Sequence, residues 1–332
     1  MKLLVRMFLV FISVGFALTA AQVSFTLWHS NPVPRRDESM KCRILNPVLG
    51  GGFKRNCRCR WKRTQGDQVI FDVAFSTDNF GRRITPGGVS EWRQNVVLFF
   101  GGSFTLGAGV NDNETTPYYF SRKAATYNVY NYAGSGFGPQ QMLAALSEMN
   151  LPRQVKPVTG RKVAIYQFLH FHIQRAVGKP SVANTYGKYF PYYALNDAGQ
   201  LVRKGNFSTG RPVLTRLHLV LSRLSLLRFL LEAYTDTPSE KDIQLTARII
   251  EESRRKFTEI FNSEDFFVVF FPGSDSQINS QMISILQKRR IQCFDYSGLV
   301  DMRAPGATLG DGHPTAKIHR RVGEELAEAL AP

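Results

Sequence analysis

The stretch "VVLFFGGSFTLGAGVNDNETTPYYF", residues 96–120, runs from an unbroken apolar segment into two glycines and Ser103. A strand with one solvated face alternates apolar and polar residues, whereas a continuous run marks a strand buried on both faces. Four further runs share the texture: "YNVYNY" (127–132), "KVAIYQF" (162–168), "DFFVVFF" (265–271) and "IQCFDY" (291–296). Helical patterns separate them, with Thr116 as N-cap before Pro117, then Gly138–Met149, Leu214–Tyr234, Lys241–Phe261, Ser280–Lys288 and Pro314–Leu330. Strands alternating with helices predict a doubly wound α/β domain over residues 94–332. An aromatic insertion at 179–212, with a hairpin around Asp197-Ala198-Gly199, reads as a lid or surface excursion near the third strand's carboxyl end.

Ahead of that domain the pattern differs. Lys2 and Arg6 precede an uncharged apolar run to Trp28, the form of an export signal. It ends either in cleavage near Ala20 or Ala21 or in retention as a single anchor, and its length favours retention. The basic flank places the rest of the chain outside the cytoplasm, in the periplasm or another extracytoplasmic space. Residues 29–93 hold the linker "NPVPRR" and a small strand-rich segment, Met40–Gly88.

The chain carries 42 basic and 26 acidic residues, a net +16. Ten Lys/Arg fall between Arg35 and Arg63 against Asp37 and Glu38. Such a segment attracts an anionic envelope surface or is simply a solvated face, and no nucleic-acid motif accompanies it. Cys42, Cys57 and Cys59 share this segment, and a bridge from Cys42 to Cys57 or Cys59 suits an oxidising compartment. A zinc site would need nearby histidines or a C-x-x-C pair, and nothing calls for a metal or cofactor.

The glycines around Ser103 do not form a phosphate cradle. Gly102 and Gly107 have the P-loop spacing, but Ala108 stands where the lysine belongs, and Gly107-Ala108-Gly109 is followed by Asp112 where a dinucleotide loop has its third glycine. A serine at a strand end among glycines instead suits an exposed nucleophile. At the other end of the chain, "LGDGHPT" offers His313 as the base and Asp311 as the carboxylate that orients it. Between them, "YNVYNYAGSGFGPQQM" supplies Asn131 at a strand end and flexible backbone that can aim N–H groups at an oxyanion. Ser135 is a rival nucleophile, but Ala133 replaces the first glycine of a G-x-S-x-G elbow.

Taken in order, these three pieces resemble the SGNH (GDSL-like) hydrolase superfamily, and the exported or membrane-anchored bacterial branch is further matched by "STDNFGRRITP". The resemblance spans about Gln94–Leu330 and implies a flavodoxin-like three-layer α/β/α fold with a mostly parallel sheet. It implies Ser103 as nucleophile, His313 and Asp311 as its base and acid, and Ser103 and Gly136 as oxyanion-hole donors. The family's third block, Gly-x-Asn-Asp, is absent. "YQFLHFHIQR" stands there, which makes His170 or His172 the candidate third donor. The implied activity is ester hydrolysis on an acylated, chiefly acetylated, carbohydrate or lipid of the cell envelope. An O-acetyltransferase using the same serine and histidine, and a non-catalytic binding protein of the same fold, are the alternatives.

Overall fold

The computed structural model describes residues 2–28, 35–38 and 41–330. Residues 31–34 of the linker "NPVPRR", and Met40 at the start of the strand-rich segment, lie outside the described residues, while Arg35 and Arg36 of that linker lie in a strand.

All five apolar runs become strands of one parallel sheet: β6 (Asn95–Gly101), β7 (Tyr127–Asn131), β8 (Lys162–Phe168), β11 (Phe266–Phe270) and β12 (Gln292–Asp295), in the order β12-β11-β8-β6-β7. In sequence order this is 2-1-3-4-5, the flavodoxin-like arrangement. Alternate residues of each strand enter opposite layers. Val96, Leu98 and Phe100 pack with α4 (Pro139–Glu148), α10 (Glu240–Phe261) and α11 (Ser276–Lys288). Val97 and Phe99 pack with α3 (Thr116–Lys123) and α12 (Ala316–Ala329). Both faces are therefore buried, which is why these strands read as continuous apolar runs.

Several helix limits move for local reasons. Thr115, not Thr116, caps α3 by accepting from the Tyr118 N–H, while the Thr116 hydroxyl lies 2.9 Å from His319 Nδ1. The final helix follows Thr315, and Pro314 instead bridges back to Thr308. Asp275 caps α11 through the Ile278 N–H, so that helix starts four residues before the expected Ser280. The single helix expected over 214–234 is two, α8 (Pro212–Leu221) and α9 (Ser225–Thr235). At the break the Ser222 hydroxyl donates to His218 O and accepts from Asn184, giving the backbone a local alternative to continuing.

The strand-rich segment forms β1 (Arg35–Glu38), β4 (Arg58–Gln65) and β5 (Gln68–Ser76) as an antiparallel sheet, beside a short pair, β2 (Arg43–Ile44) and β3 (Gly52–Phe53). Along β4, Cys59, Trp61 and Arg63 share a face, with Cys59 and Trp61 buried. Cys42 lies within bonding reach of both Cys57 and Cys59, so the bridge takes one of two exclusive pairings. The apolar helix α1 (Lys2–Trp28) precedes this segment, and its stretch Arg6–Trp28 is long and apolar enough to cross a membrane.

The segment is joined to the sheet by buried guanidinium groups of "GRRITP". Arg83, 1% exposed, donates to the carbonyls of Leu106, Gly107 and Val110 and pairs with Asp112 at 2.9 Å. It thus pins the loop that follows Ser103. Replacing Arg83 with Ala leaves three carbonyls without this donor and the half-buried Asp112 carboxylate without its cation. We expect a loss of about 3 kcal/mol in unfolding free energy, without rescue by Arg83→Lys, whose single ammonium cannot reproduce the fork. Denaturant midpoints of the two variants measure this.

Candidate active site

Four loops at the carboxyl edge of the sheet converge on Ser103, the first residue of α2 (Ser103–Leu106) directly after β6. Its position depends on Gly102, where an added Cβ would lie 2.7 Å from Arg175 Nη1 and 2.8 Å from His172 Nε2. Only glycine lets the strand turn this tightly against β8's loop. Behind the turn, the Asn131 side chain donates to Thr105 O and accepts from the Ala133 N–H, tying the end of β7 to the serine helix.

His313 arrives from the loop before α12. Its Nε2 is 3.0 Å from Ser103 Oγ, and its Nδ1 is 2.9 Å from Asp311 Oδ2. Asp311 Oδ1 also accepts the His313 backbone N–H at 3.1 Å. One carboxylate therefore holds both the loop and the ring, and this is how an Asp-x-His spacing is sufficient. With the Nδ1–H donating to Asp311, Nε2 is left to accept the serine proton. The Phe104 ring lies 5.5 Å from the imidazole and fixes its other side.

Asp311 has no exposed side-chain surface, and its cationic partner comes from the N-terminal segment. Arg63 Nη1 donates to Asp311 Oδ2 at 2.6 Å, while its other edge is held by Asp37 and its plane lies over Trp61. Burial alone would raise the Asp311 carboxyl, but hydrogen bonds and charge from His313, together with Arg63, outweigh it and hold the group well below the ordinary aspartate range. Arg63 was not singled out in the sequence; it read as one of ten basic residues in a charged segment.

A cavity of about 350 Å³ opens at this point, lined by Ser103, Ser135, Gly136, Phe171, Arg175, Tyr186 and His313 among others. Gly136 adopts φ +78°, and a Cβ there would meet the Tyr186 ring at 2.7 Å. Among the described residues, no acceptor takes the N–H of Ser103 or of Gly136. Both are free to serve an incoming oxyanion. Ser135, the rival nucleophile, shares the cavity, but among the described residues the histidine beside a serine hydroxyl in this cavity is beside Ser103.

Neither His170 nor His172 is among the residues that line this cavity. The His170 ring accepts from the Asp275 N–H and lies 3.3 Å from Ser274 Oγ. His172 is fully buried beneath Gly102, with Nδ1 2.8 Å from the Tyr166 hydroxyl, and burial holds it neutral. Arg175 occupies the cavity edge instead. Its Nη1 donates to Phe137 O, its plane rests on the Phe171 ring, and it forms no ion pair among the described residues. It sits three residues beyond His172 in the same helix, α5 (His172–Val177), so only the tertiary path of α5 distinguishes them.

No family model matches the chain, and no curated protein does. Among solved structures it is similar to a lipolytic protein of the G-D-S-L family from Desulfitobacterium hafniense, at 12% identity over 72% of this chain and 100% of that one, with a TM-score of 0.42. It is also similar to an acetyl xylan esterase from Butyrivibrio proteoclasticus, at 12% identity over 77% of this chain and 67% of that one, with a TM-score of 0.41. A third is the esterase EstA from Pseudoalteromonas, at 11% identity over 71% and 96%, with a TM-score of 0.39. Within this chain itself, the strand order agrees with the flavodoxin-like fold expected of it.

The depressed Asp311 carboxyl gives a pH test. A lowered native value means stability that is present above the unfolded value, about pH 4, and lost as pH falls toward the native value. Asp311→Asn should therefore be less stable than the unsubstituted protein at neutral pH, by about 2 kcal/mol. The gap should shrink as pH drops below about 4. Unfolding free energies of both proteins across that range measure it.

Proposed function

We propose that the chain is a serine ester hydrolase working through an acyl-enzyme. The observation that carries this reading is the continuous contact Ser103 Oγ, His313 Nε2, His313 Nδ1, Asp311 Oδ2, beside two unengaged backbone N–H groups. Ser103 Oγ attacks the ester carbonyl as His313 Nε2 takes its proton. The N–H groups of Ser103 and Gly136 hold the tetrahedral oxyanion, with the uncompensated charge of Arg175 at the cavity edge. His313 then protonates the leaving alkoxide. A water, deprotonated by the same nitrogen, attacks the acyl-serine, and the acid departs as Ser103 recovers its proton.

For substrate, we infer an O-acyl group, chiefly acetyl, on a carbohydrate or lipid of the cell envelope. The cavity at Ser103 shares Ser135 and Tyr186 with a second cavity of about 330 Å³. Arg82, Asn131, Tyr132 and Phe190 line that second space, a mixture of aromatic faces and polar groups that suits a sugar or a lipid headgroup. In this reading α1 exports the chain and stays as its anchor. Exposed Arg35, Arg36, Lys54, Arg55 and Arg58 turn toward anionic envelope groups, while Arg63 is committed to Asp311.

The test is hydrolysis of short-chain p-nitrophenyl esters by the full chain. Ser103→Ala and His313→Ala should each lower kcat by about 10³-fold or more. Arg63→Met should lower kcat by about tenfold, or 1.4 kcal/mol, at unchanged KM, because Arg63 positions Asp311 without touching substrate. An unsubstituted protein as inert as both variants would rule out simple ester hydrolysis. A sugar acceptor that diverts the acyl group from water would make the enzyme a transferase.

A further inference from the structure

The hairpin of α8 and α9 is built against the rule for a helix on a water-soluble surface. Such a helix turns its apolar stripe inward. Here Val213, Leu217, Val220 and Leu224 recur at spacings of four, three and four, and all are exposed, Val213 at 80% and Leu217 at 52%. In α9, Leu230 is 52% and Tyr234 is 89% exposed, and α9 contains no buried residue. The charges interleaved with this stripe are mainly basic. Arg216, Arg223 and Arg228 are exposed, against Glu232, which lies 3.7 Å from Arg228.

What covers this face follows from its neighbour. The start of α9 packs on the last turns of α1. Gln22 bonds Ser225 Oγ at 2.5 Å and accepts the Leu226 N–H, and the Phe25 and Phe229 rings lie 5.3 Å apart. Gln22 precedes Trp28, the end of the membrane-length stretch, by six residues. At 1.5 Å per residue that is about 9 Å of depth. Interfacial helices bury their apolar faces about 5–10 Å into the headgroup and acyl boundary, with basic residues toward the headgroups. Depth, exposed stripe and charge agree on one occupant.

We propose that α8 and α9 form a second membrane contact, a hairpin seated in the leaflet from which α1 emerges, against anionic lipid. This rests on reading α1 as a retained span. The hairpin is also tied to the catalytic cavity. Asn184 donates to Ser222 Oγ at the α8–α9 break, and two residues further along the chain Tyr186 lines the cavity beside Gly136. The active-site mouth is thereby held at the membrane surface, within reach of envelope substrates anchored there.

Photocrosslinking of the full chain, reconstituted in phosphatidylcholine–phosphatidylglycerol vesicles, tests this. Benzoylphenylalanine is placed singly at Leu217, Leu224, Ile12 in α1, and Asp197 at the exposed tip of the insertion, and adducts are identified by mass. The expected result is lipid adducts at Leu217 and Leu224 at least about tenfold above Asp197, with Ile12 also lipid-linked. Lipid adducts at Ile12 but none at Leu217 and Leu224 would overturn the hairpin while leaving the anchor intact. Adducts from Leu217 or Leu224 to a second copy of the chain would overturn it in favour of a protein contact. Absence of lipid at Ile12 would remove the anchor, and the inference with it.

Discussion

A carboxylate with no exposed surface must be matched by positive charge and hydrogen bonds, because an unpaired ion costs several kcal/mol in such a place. Asp311 meets that condition only between His313 on one side and Arg63 on the other. Its partner on the N-terminal side lies 248 residues earlier, so Asp311 is fully matched only when β4 is docked on the α/β domain. The same logic repeats at Arg83, whose buried guanidinium is satisfied by the loop after Ser103. The basic strand-rich segment is therefore a structural part of the site. It fixes Asp311 through Arg63 and the loop after Ser103 through Arg83.

This arrangement shows what a sequence makes readable. The five parallel strands were legible because burial on both faces writes itself as a local, continuous apolar run. Ser103 and His313 with Asp311 were legible because each sits at a strand end or loop with its own short signal. Arg63 and Arg175 were not. Arg63 shares its charge with nine other cations in the segment, and only the register of β4, set beside Cys59 and Trp61, turns it toward Asp311. His170 and His172 carried the more chemical side chains, yet the turn into α5 buries one under Gly102 and engages the other with Ser274 and Asp275. Likewise, the break at Ser222 depends on a hydrogen bond from Asn184, 38 residues away, which no helical periodicity records.

The parts then assemble into one physical picture. A membrane-length helix leads into a domain whose sheet edge carries Ser103. A basic segment closes the Asp311 side of the cavity, and an insertion supplies Tyr186 beside Gly136. The insertion leads into the helices whose apolar stripe is exposed among the described residues. The Ser103 cavity and the exposed apolar stripe are thus connected through a short length of chain.

The central claim is that Ser103, activated by His313, is the nucleophile. The most direct measurement is mass spectrometry of the full chain after exposure to a serine-directed fluorophosphonate. The account predicts one covalent adduct, on the peptide containing Ser103, that disappears in both Ser103→Ala and His313→Ala. An unmodified protein, or an adduct on Ser135, would contradict it.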